Sequence, residues 1–120
     1  MRTTDSFTLA SHGSITVERS CSLLLVRLRG DIDFALRDEA DRALEALGAV
    51  ADLPVEVDLG AVTFIDGAGI GFLLQCSGMC RQAGIDFGLR DVPGPAAALI
   101  GVLGLQTALP THPRDARVLA

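Results

Sequence analysis

The sequence predicts a single compact α/β domain, with a mixed β-sheet and helices packed mainly on one face of that sheet. Segments that alternate apolar and polar residues are interleaved with apolar stripes at three- and four-residue spacing, in the order β-β-α-β-α-β-α-β. The chain has 120 residues, 49% of them hydrophobic, which suffices for one core. We expect a polar lead-in over 1–13, the domain over 14–110 and a tail over 111–120.

Strands are predicted where apolar residues recur at every second position. The strongest is Ser22–Arg29, which we expect to end at Gly30. The other predicted strands are Ser14–Glu18, Val55–Leu59 with a compact apolar continuation over Val62–Ile65, Ile85–Leu89, and Leu105–Leu109 as a final short strand or extended segment.

Three helices are predicted between these strands. The first, Ala35–Val50, has an apolar stripe at helical spacing and Asp33 ahead of it as N-cap. The second begins after Asp66, which is placed to cap it, and continues to about residue 82 before Gly84. The third is Ala96–Leu103, after a turn at 93–95.

Composition excludes several classes of function. The chain is acidic, with a net charge of −5, and has no Lys, Trp or Tyr. Nucleic-acid binding needs a basic patch and stacking aromatics, and a P-loop or Schiff base needs Lys. No apolar run approaches the roughly 18–20 residues of a membrane span. The N-terminal stretch lacks the apolar block of a signal peptide, so we expect a cytoplasmic protein that neither binds nucleic acid nor inserts into a membrane.

The negative charge is concentrated in one part of the chain. Residues 31–66 carry ten acidic and two basic side chains, a net charge of −8, whereas 1–30 and 67–120 are net +2 and +1. We therefore expect a partner with a basic contact face, and association that slows as salt rises.

Three cysteines are present, and two of them, Cys76 and Cys80, lie four residues apart on the predicted second helix. Such a pair is typical of small core-facing side chains. A redox role is the alternative, although an i,i+4 pair on a regular helix is poorly placed for a disulfide. No Cys/His cluster has zinc spacing, so we expect no metal site and no cofactor.

The stretch from Val55 to Leu74 combines a strand, an acidic glycine turn and a helix N-terminus. A nucleotide-binding turn would need G-x-G-x-x-G, but Phe72 stands at the last glycine position. An enzyme site could use carboxylates as paired acid and base, yet no nucleophile lies close in sequence, so we expect no enzyme. The carboxylates are Asp31, Asp33, Asp58 and Asp66. The third interpretation is an interaction module.

The stretch from Leu25 to Leu105 resembles the STAS domain of bacterial anti-sigma factor antagonists. The resemblance rests on several ordered motifs: Gly30-Asp31-Ile32-Asp33, Val57-Asp58-Leu59, Val62-Thr63-Phe64-Ile65-Asp66, Gly69-Ile70-Gly71 with Leu73-Leu74, Gly84, and Gly104-Leu105. It implies a protein that binds an anti-sigma factor with serine-kinase activity and thereby releases a sigma factor. It also implies a switch, in which the kinase phosphorylates the Ser of a D-S-[SAT]-G motif and breaks the complex.

This chain departs from that motif at the phosphoacceptor. Gly67 stands where the Ser is expected and Ala68 follows it, so neither can accept phosphate. We therefore predict binding without phosphorylation at this loop, with a redox switch at Cys76 and Cys80 as an alternative control. The predicted partner surface consists of Asp31, Asp33, Asp66, Gly67, Ala68, Gly69, Ile70 and Gly71, with Ile70 more suited to the core and Phe72 left open. Alternative functions are a STAS-type subunit of a lipid-transport ATPase complex and a sensor domain for a nucleotide or small ligand.

Overall fold

The computed structural model describes residues 13–49 and 52–111. Its elements, in chain order, are β1 (Gly13–Arg19), β2 (Leu24–Ile32), a 3-10 turn (Phe34–Leu36), α1 (Arg37–Ala49), β3 (Val55–Ile65), α2 (Gly67–Ala83), β4 (Phe87–Arg90) and α3 (Gly94–Val102). The predicted lead-in up to residue 12, Val50 at the end of the first helix, and the tail beyond residue 111 lie outside the described residues.

The four strands form one mixed sheet in the order β1-β2-β3-β4. β1 pairs antiparallel with β2, while β2–β3 and β3–β4 are parallel pairs. Parallel neighbours need a crossover, and α1 and α2 provide the two crossovers. The predicted α/β class and mixed sheet are confirmed.

The core lies between the helices and one face of the sheet. The alternating apolar residues of β2 and β3 are almost fully buried, and α1 and α2 pack against them. The other face carries charged side chains: Arg27 pairs with Glu18 at 3.4 Å and with Asp58 at 3.7 Å, and Arg90 pairs with Glu56 at 3.0 Å. This division explains why strand residues alternate so regularly in the sequence.

Two strands extend further than the sequence predicts. Gly30 has a φ of +73° but does not end β2, which continues to Ile32. β3 runs without a break for 11 residues, from Val55 to Ile65. Its pairing with β2 shifts register twice, between Arg27 and Arg29 and between Gly30 and Asp31. These irregularities interrupt the alternation, so the sequence predicts that β2 ends at Gly30 and shows Val62–Ile65 only as an apolar continuation of β3, with 60 and 61 left out.

Helix boundaries differ from prediction by small amounts. The first helical segment opens as the 3-10 turn that Asp33 caps, and α1 follows directly. α3 begins at Gly94, two residues before the predicted start, because Pro95 fits the first turn of a helix. The predicted stop of α2 at Gly84 is confirmed by a φ of +71° and bonds from its N–H to Cys80 and Arg81.

The predicted final strand over Leu105–Leu109 is wrong. This segment forms turns, since the Leu105 N–H donates to the Ile100 carbonyl and the Leu109 N–H donates to the Leu105 carbonyl. Contact with the sheet comes just after it: the Leu89 N–H donates to Pro110 O at 2.8 Å, and Thr111 forms an isolated parallel bridge with Leu89. Alternating leucines indicated a strand here, but local bonds use the backbone groups that a strand would need.

Candidate functional site

The candidate site lies at the edge of the sheet where the parallel strands β2 and β3 end. Ile32 and Ile65 are register partners there, and the Asp66 N–H donates to the Ile32 carbonyl at 3.3 Å. The segments 31–34 and 63–69, which we call the carboxyl edge, are thereby held side by side. In α/β sheets, ligands and partners commonly meet this edge.

Asp66 holds the start of α2. Its Oδ1 accepts hydrogen bonds from the N–H groups of Ala68, at 2.9 Å, and Gly69, at 3.1 Å. The N-cap predicted from sequence is confirmed. A bound phosphate would need these same N–H groups, so the geometry disfavours a nucleotide-binding turn.

The glycines of the turn have different structural roles. A Cβ on Gly69 would lie 2.5 Å from Ile65 Cγ1 and 2.7 Å from Ile32 O, closer than real Cβ contacts allow. Gly69 therefore lets α2 approach the strand ends closely. A Cβ on Gly67 or Gly71 would meet nothing within 4 Å. Packing does not require glycine at position 67, which is exposed on the carboxyl edge.

Asp31 and Asp33 are held by local hydrogen bonds. Thr63 Oγ1 donates to Asp31 Oδ1 at 2.8 Å, which ties β3 to β2, and the Ala35 N–H donates to Asp33 Oδ1 at 3.0 Å. Both residues remain half-buried. Within 13–49 and 52–111, no group of three His, Cys, Asp or Glu side chains could hold a metal ion.

The remaining predicted site residues divide between surface and core. Ala68 is exposed with Gly67, and Gly71 is half-buried. Ile70 and Phe72 are 4% and 3% exposed, so their side chains belong to the core. Fewer of the residues predicted for the partner surface are exposed than the sequence predicts.

Two exposed aromatics on the carboxyl edge were missed by sequence reasoning. Phe34 is 62% exposed and Phe64 is 53% exposed. The Arg37 guanidinium lies over the Phe34 ring, 4.8 Å from its centroid. Phe34 stands directly after the Asp33 cap and outside the apolar stripe, a signal that could have revealed it. Phe64 gave no such signal, because the register shifts of β3 obscure which face it occupies.

The two helix cysteines lie in the core rather than at the site. Burial raises the pKa of Cys76 from 9.0 to about 12, with a smaller contribution from the nearby Cys80, and burial also raises the pKa of Cys80. Thiols with raised pKa values stay protonated and react slowly. These properties favour the core interpretation over a redox switch.

Comparison with known proteins supports the fold and identifies the family. A family model described as "Mlab, STAS domain" matches residues 15–111, most of the chain. The chain therefore belongs to the STAS domain family. No curated protein matches it significantly in sequence. Among the described helices, none combines the length and apolar character that crossing a membrane requires.

Solved structures share this architecture at low sequence identity. An anti-sigma factor antagonist from Mycobacterium paratuberculosis is 24% identical with a TM-score of 0.73, over 89% of this chain and 91% of that one. A STAS-domain anti-sigma-factor antagonist protein from Planctomyces limnophilus is 18% identical with a TM-score of 0.74, over 88% and 95%. The antagonist SpoIIAA in its unphosphorylated form is 16% identical with a TM-score of 0.69, over 88% and 93%. At these identities the likeness concerns the fold.

Proposed function

We propose that this STAS-domain protein is a cytoplasmic, non-enzymatic regulator that binds an anti-sigma factor of the serine-kinase type and so releases a sigma factor. The observation that carries the proposal is the start of α2, where Asp66 fixes the turn and leaves Gly67 and Ala68 exposed. Partner binding needs small side chains there, because bulk at the centre of an interface prevents close packing.

The same observation supports binding without phosphorylation at this loop. Neither Gly67 nor Ala68 has a hydroxyl group. The nearest upstream hydroxyl, on Thr63, donates to Asp31 at 2.8 Å and so has a structural role. Ser77 is buried and its hydroxyl donates to the carbonyl of Ala108. A kinase that reaches the start of α2 therefore meets no hydroxyl at position 67 or 68.

The carboxyl edge suits a basic partner face. Asp31, Asp33 and Asp66 lie on it, and these segments, 31–34 and 63–69, carry no basic side chain. Complementary charge raises the association rate and makes it sensitive to salt. The exposed ring of Phe34 adds an apolar contact at the same edge.

A binding measurement with a matched pair of variants tests the proposal. Isothermal titration of the serine-kinase anti-sigma factor should show about tenfold or greater loss of affinity for Ala68→Arg, which adds bulk and a repelling charge. Gln82→Arg adds the same charge at an exposed position near the other end of α2 and should bind like the unmodified chain. Equal loss in both variants, or no binding by the unmodified chain, would contradict the proposal.

A subunit of a lipid-transport ATPase complex is the second candidate. The missing hydroxyl favours it too, because a permanent subunit has no need of release by phosphorylation. Stoichiometric co-purification with such an ATPase, combined with no affinity for the anti-sigma factor, would replace the first proposal with this one.

A further inference from the structure

A long uncharged segment contains α3. From Val92 to Leu105 no residue has a polar side chain. α3 buries only Ala96 and Ile100 fully, and Leu99 partly. A helix that is apolar all round is normally covered on all sides. On α3 the opposite face, with Ala97 and Val102, is exposed to solvent, and Val102 is 83% exposed.

A cleft of about 390 Å³ lies between α3 and the end of β3. The side chains that line it are apolar apart from the hydroxyl of Thr63, and they belong to Val62, Thr63, Phe64, Ile65, the two prolines at 93 and 95, Ala96 and Leu99. The exposed ring of Phe64 forms part of the β3 wall. Four large apolar side chains are exposed in the described residues. Three of them lie here: Phe64 in the cleft, and Val102 and Leu103 at the end of α3.

The charged residues beside the cleft in sequence or strand register are five acidic and three basic, a net charge of −2. Asp66 follows Ile65, Asp31 is the register partner of Phe64, and Asp91 precedes Val92. Asp58 Oδ1 and Asp91 Oδ2 both approach Gly60, at 3.2 and 3.8 Å from where its Cβ would lie. The basic side chains nearby are Arg29, opposite Ala61, and Arg27 and Arg90, which pair with Asp58 and Glu56.

The charges beside the cleft favour some binding partners over others. A second copy of the chain would bring like charges together, which is unfavourable. A lipid surface attracts basic helices, and α3 has no Lys or Arg. We infer that the cleft between α3 and β3 binds an amphipathic helix of a partner protein, with an apolar stripe flanked by Arg or Lys.

The cleft adjoins the carboxyl edge and shares residues 63–65 with it, but helix binding in the cleft does not require the partner to be an anti-sigma factor. The probe is a synthetic helix of leucine and lysine, about four turns long, labelled with fluorescein. Anisotropy is measured against the full chain at about 0.15 M salt, which screens loose charge attraction. A matched peptide has glutamate in place of lysine.

We expect saturable binding of the lysine peptide with a Kd on the order of 10–100 µM, and binding of the glutamate peptide weaker by about tenfold or more. Phe64→Arg should weaken binding of the lysine peptide by about tenfold or more. Gln82→Arg adds the same charge far from the cleft and should leave binding of the lysine peptide unchanged. Equal urea midpoints for the two variants would show that both are folded.

Several results would overturn the inference. These are no saturable binding, equal binding of both peptides, or the same loss from Gln82→Arg as from Phe64→Arg. Sedimentation of a dimer that Phe64→Arg dissociates would assign the cleft to a second copy. Flotation with anionic vesicles that Phe64→Arg abolishes would assign it to a membrane. None of these measurements uses the anti-sigma factor, so the proposed function can stand or fail separately.

Discussion

At the scale of single residues, the glycines of the α2 turn differ in whether packing requires them. Gly69→Ala would place a methyl group against Ile65 and the Ile32 carbonyl, and overpacking of this kind costs about 1–3 kcal/mol of unfolding free energy. Gly71→Ala is the matched control: its methyl meets nothing within 4 Å, and the change should stabilise the helix by roughly 0.5–1 kcal/mol. Urea denaturation measures both, and equal effects would contradict this account of the turn.

The buried thiols make stability sensitive to alkaline pH. Cys76 has a pKa raised from 9.0 to about 12, so between those values the folded chain holds a proton that the unfolded chain has lost. Unfolding free energy should therefore fall as pH rises above about 9, by roughly 1 kcal/mol per pH unit from Cys76. The chain has no Lys or Tyr, and Cys80, whose pKa burial also raises, adds to the same decline.

Two variants test whether Cys76 causes the fall of unfolding free energy with pH. Cys76→Ala should reduce the decline of the urea midpoint between pH 9 and about 11 and leave the part that comes from Cys80, although the cavity it leaves lowers stability at every pH. Cys21 is exposed, and Cys21→Ala should leave the slope unchanged. An unmodified chain with a flat profile, or a slope that survives Cys76→Ala intact, would show that Cys76 is not the group responsible.

At the scale of elements, Asp66 couples the sheet to α2. Asp66→Ala removes an acceptor for two N–H groups and should cost about 1 kcal/mol of unfolding free energy, with faster hydrogen exchange at Ala68 and Gly69. Asp66→Asn keeps a capping oxygen and should lower the unfolding free energy by only a few tenths of a kcal/mol. A loss as large in Asp66→Asn as in Asp66→Ala would indicate that negative charge, rather than capping, holds the turn.

How far each element could be predicted depends on which interactions form it. Caps and stops such as Asp66 and Gly84 act within a few residues, so the sequence reveals them directly. The far ends of β2 and β3 depend on register shifts between strands, which alternation within one strand does not encode. The segment 105–109 shows the opposite error, because its alternating leucines belong to local turns.

At the scale of the whole molecule, the fold brings Asp31, Asp33 and Asp66 to one edge of the sheet. The sequence shows the excess of carboxylates in 31–66, but only parallel pairing of β2 with β3 brings Asp31 beside the end of β3. Ile70 lies in the core, as the sequence favours, whereas the exposed positions of Phe34 and Phe64 were not predicted. Exposure follows from packing of the whole chain, and periodicity within one element could not show it.

In the proposed function, the α2 turn contacts a partner kinase without being phosphorylated by it. Gly67→Ser rebuilds the acceptor motif as Asp66-Ser-Ala68-Gly69, at a position where a side chain meets nothing within 4 Å and φ is not positive. The most direct measurement incubates the unmodified chain and Gly67→Ser with the serine-kinase anti-sigma factor and ATP, and records intact mass and complex formation together.

We predict that the unmodified chain keeps its mass and stays bound, while Gly67→Ser gains about 80 Da and leaves the complex, because the phosphate adds about −1.5 to −2 charge and bulk inside the interface. A mass gain in the unmodified chain that maps to residues 60–75 would contradict the claim. Phosphorylated Gly67→Ser that remains bound would show that the turn lies outside the contact surface.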